Sequence, residues 1–170
     1  MKFQPQDSHY WIERKDNDIK RDWDIKSENW IEDYWASRSH PHREFLLQVI
    51  GTLEPFKSVF EIGCNCGPNL SLIRERFTYL KDHNLFGIDL NYKAISAAKK
   101  RMPAINFKLA RVTHIPADNL FDIVLADAVL MYVGPDEIKA AISEIDRITK
   151  KAIVLVEWHD RSIGGVIKDY

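Results

Sequence analysis

The stretch Val59-Phe-Glu-Ile-Gly-Cys-Asn-Cys-Gly-Pro-Asn-Leu70 carries the fold assignment. The apolar run from Ser58 to Ile62 reads as a short buried strand, Gly63 to Gly67 as a loop of small residues, and Pro68 as the opening of a helix. A strand passing through a tight loop into a helix is the repeating unit of a doubly wound sheet. In such sheets ligands sit beyond the carboxyl ends of the strands, where strand order reverses. Gly63 and Gly67 would let a ligand approach the backbone there, which bulkier side chains prevent.

The same alternation continues on either side. Upstream, Ser39-His40-Pro41 reads as a helix start, Phe45, Leu46, Val49, Ile50 and Leu53 recur at helical spacing, and Pro55 ends the helix. Downstream, the helix after Pro68 carries Leu72, Ile73 and Phe77, and Asn84 to Ile88 reads as the second strand. Asn91 then caps a helix through Ala94, Ile95, Ala98 and Met102 that Pro103 stops. Ile105 to Leu109 reads as a third strand, and Phe121 to Ala126 as a fourth with the continuous apolar run of a central parallel strand. A helix from Asp136 to Thr149 and a fifth strand from Ala152 to Val156 complete the pattern. The expectation is an α/β fold: a doubly wound, mostly parallel sheet with helices on both faces.

At 170 residues the chain has room for one domain with a real core. Its 24 basic and 25 acidic residues leave a net charge of -1, which provides no global pull toward nucleic acid and disfavours it as a partner. Cys64 and Cys66 are too close to staple a fold, and neither they nor His40-Pro-His42 complete a metal site, so no metal is expected. The polar N-terminus has no leader-like apolar core and no stretch is long enough to span a membrane, which makes the cytoplasm the default location. Residues 1–39 hold four of the five tryptophans, Trp11, Trp23, Trp30 and Trp35. They read as an aromatic-rich helical extension that either packs on the main domain, residues 40–170, or covers a ligand site.

Spacing decides between cofactors. A dinucleotide fingerprint read from Gly63 would need glycines where Asn65 and Pro68 stand. Read instead as E-x-G-x-G-x-G, the loop supplies Glu61, Gly63 and Gly67, with Asn65 replacing the middle glycine. With this loop, Gly87-Ile-Asp89-Leu-Asn91 after the second strand, and Phe121 to Leu130 around the fourth, the chain resembles the class I S-adenosylmethionine-dependent methyltransferases from about Ser58 to Asp160. The form E-I-G-C-N-x-G-x-N-L, with G-I-D-L-N, further resembles methylases found among bacterial surface-sugar biosynthesis genes, including those associated with pseudaminic acid.

That resemblance implies a Rossmann-like methyltransferase fold, S-adenosylmethionine as cofactor, and methyl transfer to a small-molecule acceptor such as a sugar or glycan precursor. It implies that Asp89 holds both ribose hydroxyls, since a carboxylate can accept two protons at once, with Leu90 beside it. Glu61 either accepts backbone donors of the loop or orients the cofactor's ammonium. Asn65 tolerates left-handed backbone angles, so the loop can still form. Where the family often has an adenine-binding acid this chain has Arg111, which cannot accept a hydrogen bond, leaving adenine to backbone groups near Val112. Arg43 is a candidate for the cofactor's carboxylate through its bidentate fork. The resemblance also places Asp127, at the end of the fourth strand, against the cofactor's methionine part; the acceptor must lose a proton, and Asp127, Glu157 and His159 are the general-base candidates at the right edge of the sheet.

Family domains generally continue past the fifth strand with a helix and a hairpin, but only Arg161 to Tyr170 remain here. The domain is therefore expected to be C-terminally short, lacking the last strands: either a truncated piece, an unusually minimal domain, or one whose exposed fifth-strand edge is covered by another chain, as in a homo-oligomer. A non-catalytic binding or assembly module and a nucleic-acid methyltransferase are the alternatives.

Overall fold

The computed structural model describes residues 11–12 and 29–157. Within them the chain runs α1 (Trp30–Ala36), a 3-10 turn (Ser37–Ser39), α2 (Pro41–Gly51), β1 (Val59–Ile62), α3 (Pro68–Arg76), β2 (Leu85–Asp89), α4 (Tyr92–Arg101) and β3 (Asn106–Leu109). It continues through β4 (Phe121–Asp127), a further 3-10 turn (Leu130–Tyr132), α5 (Ile138–Ile148) and β5 (Thr149–Val156). The five strands form one parallel sheet in the order β3-β2-β1-β4-β5. Strand order reverses between β1 and β4, so their carboxyl ends open the crevice where such sheets bind ligands.

The expected elements form, and their ends follow local chemistry. α2 begins with Pro41 at its first turn, and His40 accepts from the His42 amide as the cap. Asn91 caps α4 by accepting from the Ala94 amide at 3.0 Å, and Lys99, Lys100 and Arg101 occupy its last turn, where cations oppose the helix dipole. Most boundaries shift by a residue or two, and β5 starts at Thr149 rather than Ala152, directly after α5. The register pairs Phe121 with Thr149 and Ile123 with Ala152, with a shift between them, so the strand reaches back to Thr149 through an irregularity at Lys150 and Lys151.

Burial on both faces explains the apolar runs. Every residue of β1 is buried, and β4 is buried from Phe121 to Ala126. One core lies between the sheet and α2, α3 and α4, around Ile50, Leu70, Ile73, Leu85, Ala98 and Ile123. The other, around Phe60, Phe121, Val124, Ile145 and Ile148, lies beneath α5. Trp35 of α1 packs against the first core, and the guanidinium groups of Arg38 and Arg101 lie 4.8 Å and 4.9 Å from its ring. Trp23 and most of the N-terminal extension lie outside the described residues, as does everything after Glu157. No described helix is long and apolar enough to cross a membrane.

Candidate functional site

The crevice at the carboxyl ends of β1, β2 and β4 is a pocket. Its apolar walls include Ile62, Ile88, Leu90, Val112 and Val129, and Asp89, Arg111, Asp127 and Glu137 supply its charges. Tyr34, Trp11 and Tyr132 add aromatic surface.

The turn after β1 forms one side. Gly63 and Gly67 have φ of 65° and 86°, and Asn65 shares the left-handed region at 49°. The Asn65 side chain supports that conformation locally: its Oδ1 accepts from the Cys66 amide at 2.8 Å. Only Gly63 and Asn65 of the turn line the pocket. Gly67 instead lies against the core, where a Cβ would stand 2.5 Å from Met102 Cε and 3.1 Å from Phe107. Cys64 and Cys66 are buried, and burial pushes the Cys66 thiol up to about 12.

Asp89 ends β2 and joins the turn to the next helix. Its Oδ2 accepts from the Asn65 amide and its Oδ1 from the Asn91 amide, both at 2.8 Å. A carboxylate has about four acceptor sites, so Asp89 keeps acceptor capacity beyond these two bonds. Burial raises the Asp89 pKa, and the backbone donors of Asn91, Asn65 and Leu90 oppose that rise.

Beneath the turn lies a buried polar cluster. Glu61 is 2% exposed; its Oε1 accepts from Asn69 Nδ2 at 2.8 Å, and its Oε2 has no partner among the described residues. Burial pushes the Glu61 carboxyl up to about 8, only partly offset by the Asn69 hydrogen bond, so the group is mostly protonated at neutral pH. Asn69 Nδ2 also donates to Asp127 Oδ2 at 3.1 Å. Arg43, equally buried, donates to Asn69 Oδ1 and, through Nε and Nη2, to the backbone and hydroxyl oxygens of Ser37 at 2.9 and 2.7 Å. Its Nη1 is 3.6 Å from Asp127 Oδ2. The structure thus turns Arg43 into the cluster, and it does not line the pocket.

Asp127 ends β4 on the pocket wall, followed by Ala128 with a φ of 55°. Glu157 faces the loop backbone: its Oε1 accepts from the Val129 and Leu130 amides at 3.2 and 2.9 Å, and its Oε2 from the Met131 amide at 3.4 Å. Its carboxylate therefore caps the 3-10 turn and is absent from the pocket lining. His159, the remaining base candidate, lies outside the described residues.

Tyr34 and Glu137, which line the pocket, and His42, which contacts its Asp127, were not singled out from sequence as site residues. Arg111 donates to both oxygens of Glu137, at 2.9 and 3.1 Å, and this ion pair forms part of the wall beside Val112. His42 Nε2 lies 3.2 Å from Asp127 Oδ2. Glu137 is 26 residues from Arg111 and His42 is 85 from Asp127, so no local pattern announces either contact. Trp11 meets the Tyr132 ring edge-on at 5.2 Å, and its carbonyl accepts from Asn91 Nδ2 at 2.8 Å.

Comparison with known proteins agrees with this geometry. Trans-aconitate 2-methyltransferase of Rhodopseudomonas palustris strain BisB18 is 27% identical over 139 residues, covering 82% of this chain and 51% of that protein. The chain spans about half the length of the curated relatives it matches. Among solved structures, a sugar N-methyltransferase from Streptoalloteichus superposes with a TM-score of 0.66 at 17% identity, over 86% of this chain and 60% of its own. An amino pentose methyltransferase from Micromonospora echinaspora superposes at 0.65 with 18% identity, over 82% and 60%. These likenesses establish the Rossmann-like fold. The methyltransferase domain model matches residues 59–152, from the first strand into the fifth, and the chain belongs to that methyltransferase domain family.

Proposed function

We propose that the chain catalyses S-adenosylmethionine-dependent methyl transfer to a small-molecule acceptor, with a sugar or glycan precursor as the acceptor class. The observation that carries the cofactor assignment is Asp89: a carboxylate in the pocket wall, flanked by Ile88 and Leu90, with its two oxygens held by backbone amides at the end of the second strand. Apolar residues on both sides of a diol-binding acid suit an adenosine. Gly63 fits the same group, because its bare backbone borders the pocket.

When bound, S-adenosylmethionine supplies an electrophilic methyl group on a positively charged sulfur. The residues of the chain would do the remainder. Asp89 would accept both ribose hydroxyls, Leu90 and Val112 would flank the base, and the Arg111–Glu137 pair would close that end without itself accepting from the adenine amine. Glu61, mostly protonated, would offer a buried carboxyl beside the methionine portion rather than a counter-ion, while Arg43 would act through Asn69 and Asp127. Asp127 would face the reacting centre and accept the proton of the acceptor. Trp11, against Tyr132, supports the reading of the N-terminal segment as a cover that excludes water.

The charges favour a neutral or basic acceptor. Of the described charged side chains in the wall, three are acidic, and the one cation, Arg111, is paired with Glu137. A tricarboxylate such as the acid in the relatives' name would meet repulsion at these residues.

Calorimetric titration with S-adenosylmethionine and its demethylated product tests the assignment, on the wild type and on Asp89→Ala. Affinity in the variant should fall tenfold or more, about 1.4 kcal/mol. An unchanged affinity in a folded variant would remove Asp89 from the site, and no binding by the folded wild type would favour a non-catalytic module.

A further inference from the structure

The hydrogen bonds around His42 locate a proton. His40 caps α2 with its Nδ1, which accepts from the His42 backbone amide at 3.3 Å. That nitrogen therefore carries a lone pair. His42 Nδ1 lies 2.7 Å from the same atom, so it must be the donor of that contact. A neutral His42 protonated at Nδ1 would then turn the lone pair of Nε2 toward Asp127 Oδ2, 3.2 Å away, where two acceptors would face each other. The contact is a hydrogen bond only if one further proton resides between Nε2 and Oδ2.

We propose that Asp127 and His42 form one acid–base unit, sharing that proton, which takes up the acceptor's proton at Asp127 Oδ1 and releases one to solvent through His42 and His40. The catalytic part of this assignment rests on the methyl-transfer reading above. Asp127 Oδ2 is held by Asn69 Nδ2, His42 Nε2 and, more distantly, Arg43 Nη1, whereas Oδ1 has no partner among the described residues and belongs to a side chain on the pocket wall. The other titratable groups near the unit are Glu61, bridged to Asp127 by Asn69, and Tyr34, whose burial raises its pKa. His42 is partly open to water and His40 is exposed, so the route leads outward from the less exposed carboxylate.

The protons and electrons balance. The acceptor's N–H or O–H bond breaks, its electron pair remains on the acceptor atom to form the new bond to carbon, and the carbon–sulfur pair stays with sulfur. The proton lands on Oδ1, and His42 passes its Nδ1 proton to His40 Nδ1 and on to water. One proton enters and one leaves, so the unit's count is unchanged. Asp127 is the catalytic group, and His42 is a positioning residue that acts through it.

Nitrogen-15 NMR of the full chain at pH 7.5, with His42 assigned by its loss in His42→Gln, tests this without any ligand. Both ring nitrogens of His42 should show protonated-type shifts in the wild type. In Asp127→Asn, Nδ1 should remain protonated and Nε2 should move to the unprotonated range. A wild-type His42 that is neutral, with its proton on Nε2 and a bare Nδ1, would overturn the proposal, because no proton could then leave toward His40. Asp127→Asn spectra identical to wild type would overturn it equally. S-adenosylmethionine titration of the same samples separates the two readings: failure to bind would count against methyl transfer, whereas the tautomer result decides the proton unit.

Discussion

Two turns form opposite sides of the pocket, one after β1 and one after β4, and they solve the same problem differently. Each contains a non-glycine residue in the left-handed region, Asn65 at φ 49° and Ala128 at φ 55°. Each is tied down by a carboxylate from the end of the neighbouring strand: Asp89 accepts from the Asn65 amide, and Glu157 accepts from the amides of Val129, Leu130 and Met131. Asn65 compensates its backbone with its own side chain, through the Cys66 amide. Ala128 has no such group, and its conformation depends on the Val156 carbonyl, which accepts from its amide at 2.7 Å, and on the Glu157 cap beside it. The first turn is locally encoded, and the second is imposed by β5.

The largest test of this contrast is pH, because a buried carboxyl, Glu61, lies directly before the first turn. Its pKa rises from about 4.5 in the unfolded chain to about 8, so the folded state binds that proton more tightly. Its contribution is complete below about pH 4.5 and disappears as pH rises through about 8, an effect on the order of 3–5 kcal/mol. Urea unfolding from pH 5 to 9 should show this loss in the wild type relative to Glu61→Gln, whose neutral amide cannot ionise. Parallel curves would mean that the carboxyl is hydrated.

The turns meet at Gly63, so Gly63→Ala should disturb both. An added Cβ would stand 2.4 Å from Val129 Cγ2 and 3.1 Å from Cγ1, at a φ that already disfavours side chains. A loss of about 2–4 kcal/mol is expected, seen as a lower urea midpoint at unchanged slope. Glu157→Ala should cost about 1–2 kcal/mol by removing the acceptor of three amides, and amide exchange should accelerate at Val129 and Leu130 but not at Asn65. The smallest effects sharpen the contrast most. Asn65→Ala should cost about 1 kcal/mol through the lost side-chain bond and the poorer left-handed residue, whereas Ala128→Gly should change stability by less than about 0.5 kcal/mol, relief of strain offsetting backbone entropy. Equal losses in these two variants would show that both turns are locally encoded.

The legibility of the pocket follows the same division. Asp89, Leu90, Gly63 and Asn65 could be picked out because each lies within a short stretch whose strand, turn and cap residues specify its geometry, and all four line the pocket. Arg43 and Glu157 are polar residues at suitable ends of elements, yet the structure directs one into the Asn69–Asp127 cluster and the other onto loop amides. Glu137 and the contact of His42 with Asp127 were not legible because the partners are distant in sequence. Residue type announces that a side chain can bond, and the competing donors and acceptors around it decide where it does.

The sequence by itself determined the alternation of strands and helices, the parallel sheet and the first turn, because hydrophobic periodicity, caps and glycine positions act over a few residues. Tertiary structure alone decided the start of β5, the conformation of Ala128, the protonated state of Glu61 and the union of Asp127 with His42. Each of these depends on the desolvation and the hydrogen-bond partners that a residue acquires only when distant segments of the chain pack against it.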